Sequence, residues 1–207
     1  MIVDDHEVIR DALAMMLGPH GFETKAKCDS GGAVMSHIDR TDFDVVLLDV
    51  RLPDMDGLAV LEQLRSAKSG LPVVMFSGHQ NVTYIARAVA LGACDFLDKS
   101  ADVSVIATAL RCAADRGRRD GQSLLERVRR TMHADVDLGG LPPEMPLTSR
   151  EAQVLRHIGF GLSNREIAGS LGISVETVKE HVQNVLRKMS ANDRTDAAVR
   201  AVKAGLA

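Results

Sequence analysis

Short apolar runs alternate in this sequence with amphipathic stretches about ten residues long, and that alternation limits the possible folds more than any other feature. Val45-Val46-Leu47-Leu48 and Val73-Val74-Met75-Phe76 are rich in β-formers and apolar at every position. A half-exposed strand would alternate polar and apolar residues, so these runs read as strands buried on both faces. Around them lie helical periods: Val8, Ile9, Ala12, Leu13, Met16 and Leu17; then Leu58, Leu61 and Leu64; then Val105, Ile106, Ala109, Leu110 and Ala113. Strands that alternate with helices of this length imply βαβ units and a parallel sheet across residues 1–115.

The pattern then changes. The stretch 117–146 opens on Gly117-Arg-Arg-Asp-Gly121 and closes on Gly139-Gly140-Leu-Pro-Pro-Glu-Met-Pro146, with Leu124, Leu125, Val128 and Met132 between them on one helical face. It reads as a linker containing one short helix. From Leu147 onward the chain is helical. Thr148-Ser-Arg-Glu151 and Ser163-Asn-Arg-Glu166 fit the capping box, Ser174 caps a third helix after Gly172, and Asn192-Asp-Arg-Thr195 opens a last one. The domains expected are therefore 1–116, a linker at 117–146, and 147–207.

The net charge of −3 is divided unevenly. Counting along the sequence, 16 acids against 10 bases in residues 1–114 give −6, six against six in 115–146 give zero, and six against nine in 147–207 give +3. An acidic front suits a cation, and a basic tail suits phosphates. Asp4, Asp5 and Glu7 make the start unlike a secretory signal, and no apolar run approaches the roughly 20 residues that span a bilayer, so a cytoplasmic protein is expected. Cys28, Cys94 and Cys112 have neither zinc-ligand nor redox-pair spacing and read as small buried hydrophobes.

In an open parallel sheet, functional groups gather beyond the carboxyl ends of the strands. Asp4 and Asp5 follow Met1-Ile2-Val3, Asp49 ends the second apolar strand, Ser77 follows Val73–Phe76, and Lys99 follows Phe96-Leu97. Three crowded carboxylates need compensation, which a hard cation such as Mg²⁺ supplies. Asp49 is then a candidate nucleophile toward a phosphoryl donor, with the metal and Lys99 offsetting charge on the transferred group and Ser77 placed to hydrogen-bond one of its oxygens. Asp54-Met-Asp-Gly57 hints at a calcium loop, but Pro53 intrudes and Gln63 stands where the last carboxylate belongs.

Val3-Asp-Asp-His6, Asp44-Val-Val-Leu-Leu-Asp49, Pro53-Asp-Met-Asp-Gly57, Phe76-Ser77-Gly78 and Gly92-Ala-Cys-Asp-Phe96-Leu-Asp-Lys99 together resemble the receiver domain of response regulators. The resemblance implies a five-stranded flavodoxin-like parallel sheet with Asp49 as phosphoacceptor. It also implies Mg²⁺ held by Asp5, Asp49 and the backbone carbonyl of Arg51, with Asp4 acting through water, and Ser77 and Phe96 as switch residues. One departure is a first strand with only three residues before the acid pair.

Leu147-Thr-Ser-Arg-Glu151, Gly161-Leu-Ser-Asn-Arg-Glu-Ile-Ala168, Leu171-Gly-Ile-Ser174, Thr177-Val-Lys-Glu-His181, Leu186-Arg-Lys-Met189 and Asp193-Arg-Thr195 resemble the LuxR-type helix-turn-helix of the NarL/FixJ class. That implies a small all-α domain that reads DNA as a dimer. Lys179 and Gln183 fall at base or nearby phosphate contacts, while Thr177, Arg187, Lys188 and Arg194 fall among DNA-facing or backbone positions. Glu180 on the same face is suited to accept from cytosine N4, the other reading being a pair with the neighbours of Lys179. Glu151 reads as structural, and Ala197, Ala198, Ala201 and Val202 offer a close contact between two copies.

The function expected is transcription control by phosphotransfer from a sensor histidine kinase, with an operator and a second copy as the other partners. Two other readings stand beside it. An aspartate-nucleophile phosphatase is disfavoured because Arg51 occupies the place of its second carboxylate. A DNA-binding protein that uses the receiver only to dimerise is disfavoured by the intact acid pair, Asp49, Ser77 and Lys99.

Overall fold

The computed structural model describes residues 1–68, 70–115, 121 and 123–207. The Gly-Arg-Arg-Asp opening of the expected linker, residues 117–120, lies outside them. The described residues form two compact units, one of Met1–Asn81 with Leu91–Glu126, the other of Val82–Ala90 with Arg127–Ala207.

The first unit holds strands β1 (Ile2–Val3), β2 (Lys27–Cys28), β3 (Val46–Asp49), β4 (Val73–Ser77) and β5 (Asp95–Asp98). All pair in parallel, in the order β2-β1-β3-β4-β5. Every residue of β3 and β4 is buried, as uniformly apolar runs require when helices cover both faces. The crossovers in this unit are helices α1 (Glu7–Leu17), α2 (Gly31–Ile38) and α3 (Gly57–Ala67), and α5 (Val103–Ala114) follows β5. One core gathers Leu13 and Leu17 of α1, Leu47, Val74, Phe76 and Leu97 of the sheet, and Ile106 and Leu110 of α5. The short first strand is sufficient for pairing on both sides, with Val3 opposite Cys28 and Leu48.

In chain order, α4 (Val82–Ala90) follows β4, and α6 (Leu124–His133) follows α5. Within α6, Leu125, Val128 and Met132 are buried, as the helical face in the linker predicts. The second unit also contains α7 (Ser149–Gly159), α8 (Asn164–Leu171), α9 (Val175–Lys188) and α10 (Arg194–Lys203). Both expected capping boxes are formed, by Thr148 with Glu151 and by Ser163 with Glu166. Gly172 ends α8 in the left-handed conformation at φ +63°, which glycine adopts without the Cβ penalty, and this turns the chain into α9. His157 is fully buried, its Nδ1 paired with the Gln153 carbonyl at 2.8 Å and its Nε2 with Ser170 Oγ at 2.9 Å, which fastens α7 to α8.

Candidate phosphoryl-acceptor site and nucleic-acid interface

Four strand ends deliver the acidic site. Asp4 follows β1 and is fully buried, Asp49 ends β3 and is 3% exposed, Ser77 ends β4, and Lys99 follows β5. Lys99 Nζ reaches across the sheet edge to donate to Asp4 Oδ2 at 2.5 Å and to Asp49 Oδ2 at 2.7 Å. The Arg51 amide donates to Asp49 Oδ1 at 3.1 Å. Burial pushes the Asp49 carboxyl above the ordinary range, and the bonds from Lys99 and Arg51 offset only part of that shift. For Lys99, burial works against the charge, but the hydrogen bonds to Asp4 and Asp49 outweigh it and raise its pKa. The ammonium therefore stays charged and compensates two carboxylates at once.

Residues beyond the expected phosphoacceptor, metal and switch positions complete the frame. Arg10 donates to the Asp4 carbonyl at 2.7 Å, the His6 amide donates to Asp4 Oδ1 at 2.9 Å, and His6 Nδ1 lies 2.5 Å from Asp5 Oδ1. A side chain on Gly57 would collide with the Asp49 carbonyl oxygen, so only glycine lets α3 begin this close to the nucleophile. The acids of the rejected calcium loop have structural duties. Asp54 accepts from the Gly31 and Gly32 amides, both at 2.9 Å, and Asp56 caps α3 through the Leu58 amide. The amides that Asp54 holds lie 23 and 22 positions away, which no spacing rule links, whereas Asp56 and Leu58 form an ordinary local cap.

The donor set fits a hard divalent cation. Ligand atoms of Asp4, Asp5 and His6 lie within 4.8 Å of one another. Both oxygens of Asp4 accept bonds, from Lys99 and His6, and both oxygens of Asp49 accept bonds, from Lys99 and the Arg51 amide, and each carboxylate oxygen keeps a further lone pair that a cation can use. Ser77 Oγ is turned to its own loop, donating to the His79 carbonyl at 3.1 Å and accepting from the His79 amide at 3.2 Å. Phe96 is buried, with 4% of its surface exposed.

In the second unit, Val178 and Val185 of α9 are buried and anchor it to the domain core. Ser174 accepts from the Thr177 amide at 3.0 Å, and the two hydroxyls lie 2.8 Å apart, so Thr177 is occupied in the cap. Glu176, Lys179, Glu180, Gln183 and Arg187 form one exposed stripe. Two expected DNA-facing cations are tied inward. Lys188 Nζ lies 2.7 Å from Glu151 Oε2, and Arg194 donates to the Leu162 carbonyl and to Asn164 Oδ1. Ala197 and Ala201 also differ from expectation. Both are fully buried where α10 packs on α7, because Gly159 there leaves room for Ala201; Val202 of the expected set is exposed, as is Val199.

Comparison with known proteins decides the family. Residues 1–111 match the response regulator receiver domain, and residues 145–201 match the bacterial regulatory proteins of the luxR family. The chain belongs to the NarL/FixJ class of response regulators. It is 30% identical to transcriptional regulatory protein DegU of Brevibacillus brevis over 99% of this chain and 93% of that protein. It is 32% identical to nitrate/nitrite response regulator protein NarP of Escherichia coli strain K12, over 96% and 92%. A crystal structure of a LuxR-family DNA-binding response regulator from Staphylococcus aureus aligns with a TM-score of 0.52 and 25% identity, over 55% of this chain and 95% of that one. This response regulator thus joins a receiver to a LuxR-type DNA-binding domain and acts in transcription control within a two-component system. Among its described residues no helix is long and apolar enough to cross a membrane.

Proposed function

We propose that Asp49 is the phosphorylated residue, that a sensor histidine kinase supplies the phosphoryl group, and that the modified receiver promotes a dimer on operator DNA. The receiver spans 1–116, the linker 117–146 and the DNA-binding domain 147–207. The observation that carries the reading is the Lys99 ammonium shared between Asp4 and Asp49 at the carboxyl edge of the sheet. A buried carboxylate held beside a permanent cation has a free lone pair for attack on phosphorus. The new O–P bond forms as the donor's P–N bond breaks, and the leaving imidazole takes up a proton. Asp5, Asp49 and the Arg51 carbonyl would hold Mg²⁺, with Asp4 acting through water. Bound Mg²⁺ would neutralise charge on the phosphoryl oxygens. Lys99 remains hydrogen-bonded to the carboxylates and offsets the added charge. Ser77 exchanges its bond to the His79 carbonyl for one to a phosphoryl oxygen. Phe96, already buried, then repacks rather than moving in from solvent.

In the DNA-binding domain, Lys179, Glu180, Gln183 and Arg187 face the major groove from α9, and Thr177 sits at its start. Lys188 and Arg194 act on DNA only if they exchange their present partners for phosphate. We place the protein in the cytoplasm, where the operator lies, with no turnover beyond gaining and losing its own phosphoryl group. A dimer tethers two recognition helices, so the second half-site binds at high effective concentration without new base contacts. Binding to single and paired half-sites, with and without acetyl phosphate, tests this. A large gain on paired sites alone is expected; an equal gain on single sites overturns the dimer account.

A further inference from the structure

The exposed stripe of α9 begins with a charged pair of which the function above uses only Lys179. Glu176 is the second residue of the helix, and Lys179 Nζ lies 2.8 Å from its Oε1, with the two side chains 77% and 53% exposed. They stand on the face that carries Glu180, Gln183 and Arg187, at the helix end whose residues reach base edges when such a helix enters the major groove. A lysine only donates and an ionised glutamate only accepts, so the pair presents a donor and an acceptor side by side.

That pattern matches one base pair better than the other. A G·C pair shows two adjacent acceptors, guanine N7 and O6, followed by the cytosine N4 donor at the end of the row. An A·T pair also shows a donor, adenine N6, but acceptors N7 and O4 flank it on both sides and repel a carboxylate. We infer that Glu176 and Lys179 act as a matched pair that reads one G·C base pair in each half-site, Lys179 donating to guanine and Glu176 accepting from cytosine. This rests on the reading that α9 occupies the major groove. The ion pair already places the donor and the acceptor side by side before DNA arrives.

Selection from randomised duplexes with the phosphorylated full-length protein tests the inference. The wild type should show one position per half-site where G·C is preferred over A·T by about 5- to 10-fold, the lower part of the range for a specific base contact. Glu176→Gln should move that position toward A·T, since glutamine pairs well with adenine, while other positions keep their profile. An unchanged profile in Glu176→Gln, or no G·C position in the wild type, overturns the inference. Gln183→Ala separates the two levels. If it weakens binding to the selected duplex while Glu176→Gln changes nothing, α9 reads DNA and only the pair assignment fails. If neither Gln183→Ala nor Lys179→Ala weakens binding, the placement of α9 fails as well.

Discussion

Removing the Lys99 ammonium should destabilise the receiver in a way that pH and Mg²⁺ both reverse. In Lys99→Ala, Asp4 and Asp49 lose the cation that lies 2.5 Å and 2.7 Å from their Oδ2 atoms, and both carboxylates are almost completely buried. Breaking a buried ion pair by deleting one partner costs about 3–5 kcal/mol. Lys99 itself is 19% exposed at the sheet edge, so solvent softens the loss and about 3 kcal/mol is expected. The sign with pH follows from Asp49, whose carboxyl burial already raises. An acid with a raised folded pKa favours the fold below its ordinary pKa, and that contribution is lost as pH rises through the raised value. The defect should therefore be small in acid, grow toward neutral pH, and shrink again in millimolar Mg²⁺. Urea unfolding followed by hydrogen exchange in the β1, β3 and β4 peptides reads the receiver separately from the second unit. A variant as stable as wild type at neutral pH, or one indifferent to Mg²⁺ and pH, would refute the reasoning.

Two other outcomes follow from single contacts. Gly57→Ala should push α3 away from the Asp49 carbonyl, costing roughly 3 kcal/mol as overpacking does and slowing phosphorylation; a variant with wild-type stability and rate would show that the close approach has no role. Burial pulls His157 down to about 4, against about 6.5 when unfolded, so the unfolded chain binds the proton first and stability falls as pH drops from 6.5 to 4, by about 3 kcal/mol in total. His157→Gln should flatten that acid slope in thermal unfolding of the DNA-binding domain, and an unchanged slope would assign it to other groups.

The sheet and the acidic site were legible where chemistry is local. Uniformly apolar runs fixed β3 and β4, and position just after such runs placed Asp4, Asp49, Ser77 and Lys99 on one edge. Capping boxes at Thr148 and Ser163 marked helix starts because both halves of the signal lie within four residues. What escaped depends on distant partners. Strand β2 is two residues long with Lys27 exposed, so it carries no apolar run. The withdrawal of Lys188 to Glu151 and of Arg194 to Leu162 joins residues 37 and 32 positions apart, and both look like free cations in the sequence. Ala197 and Ala201 are small because α7 approaches them, and a small residue in a sequence does not say which neighbour needs the room.

The central claim is that Asp49 accepts a phosphoryl group in a site built for a divalent cation. Intact-mass measurement after incubation with acetyl phosphate tests it most directly, in Mg²⁺, in EDTA, and with Asp49→Ala. One added phosphoryl mass in Mg²⁺, lost in EDTA and in the variant, is the expected result. Undiminished labelling of Asp49→Ala, or label mapped to another residue, would contradict it.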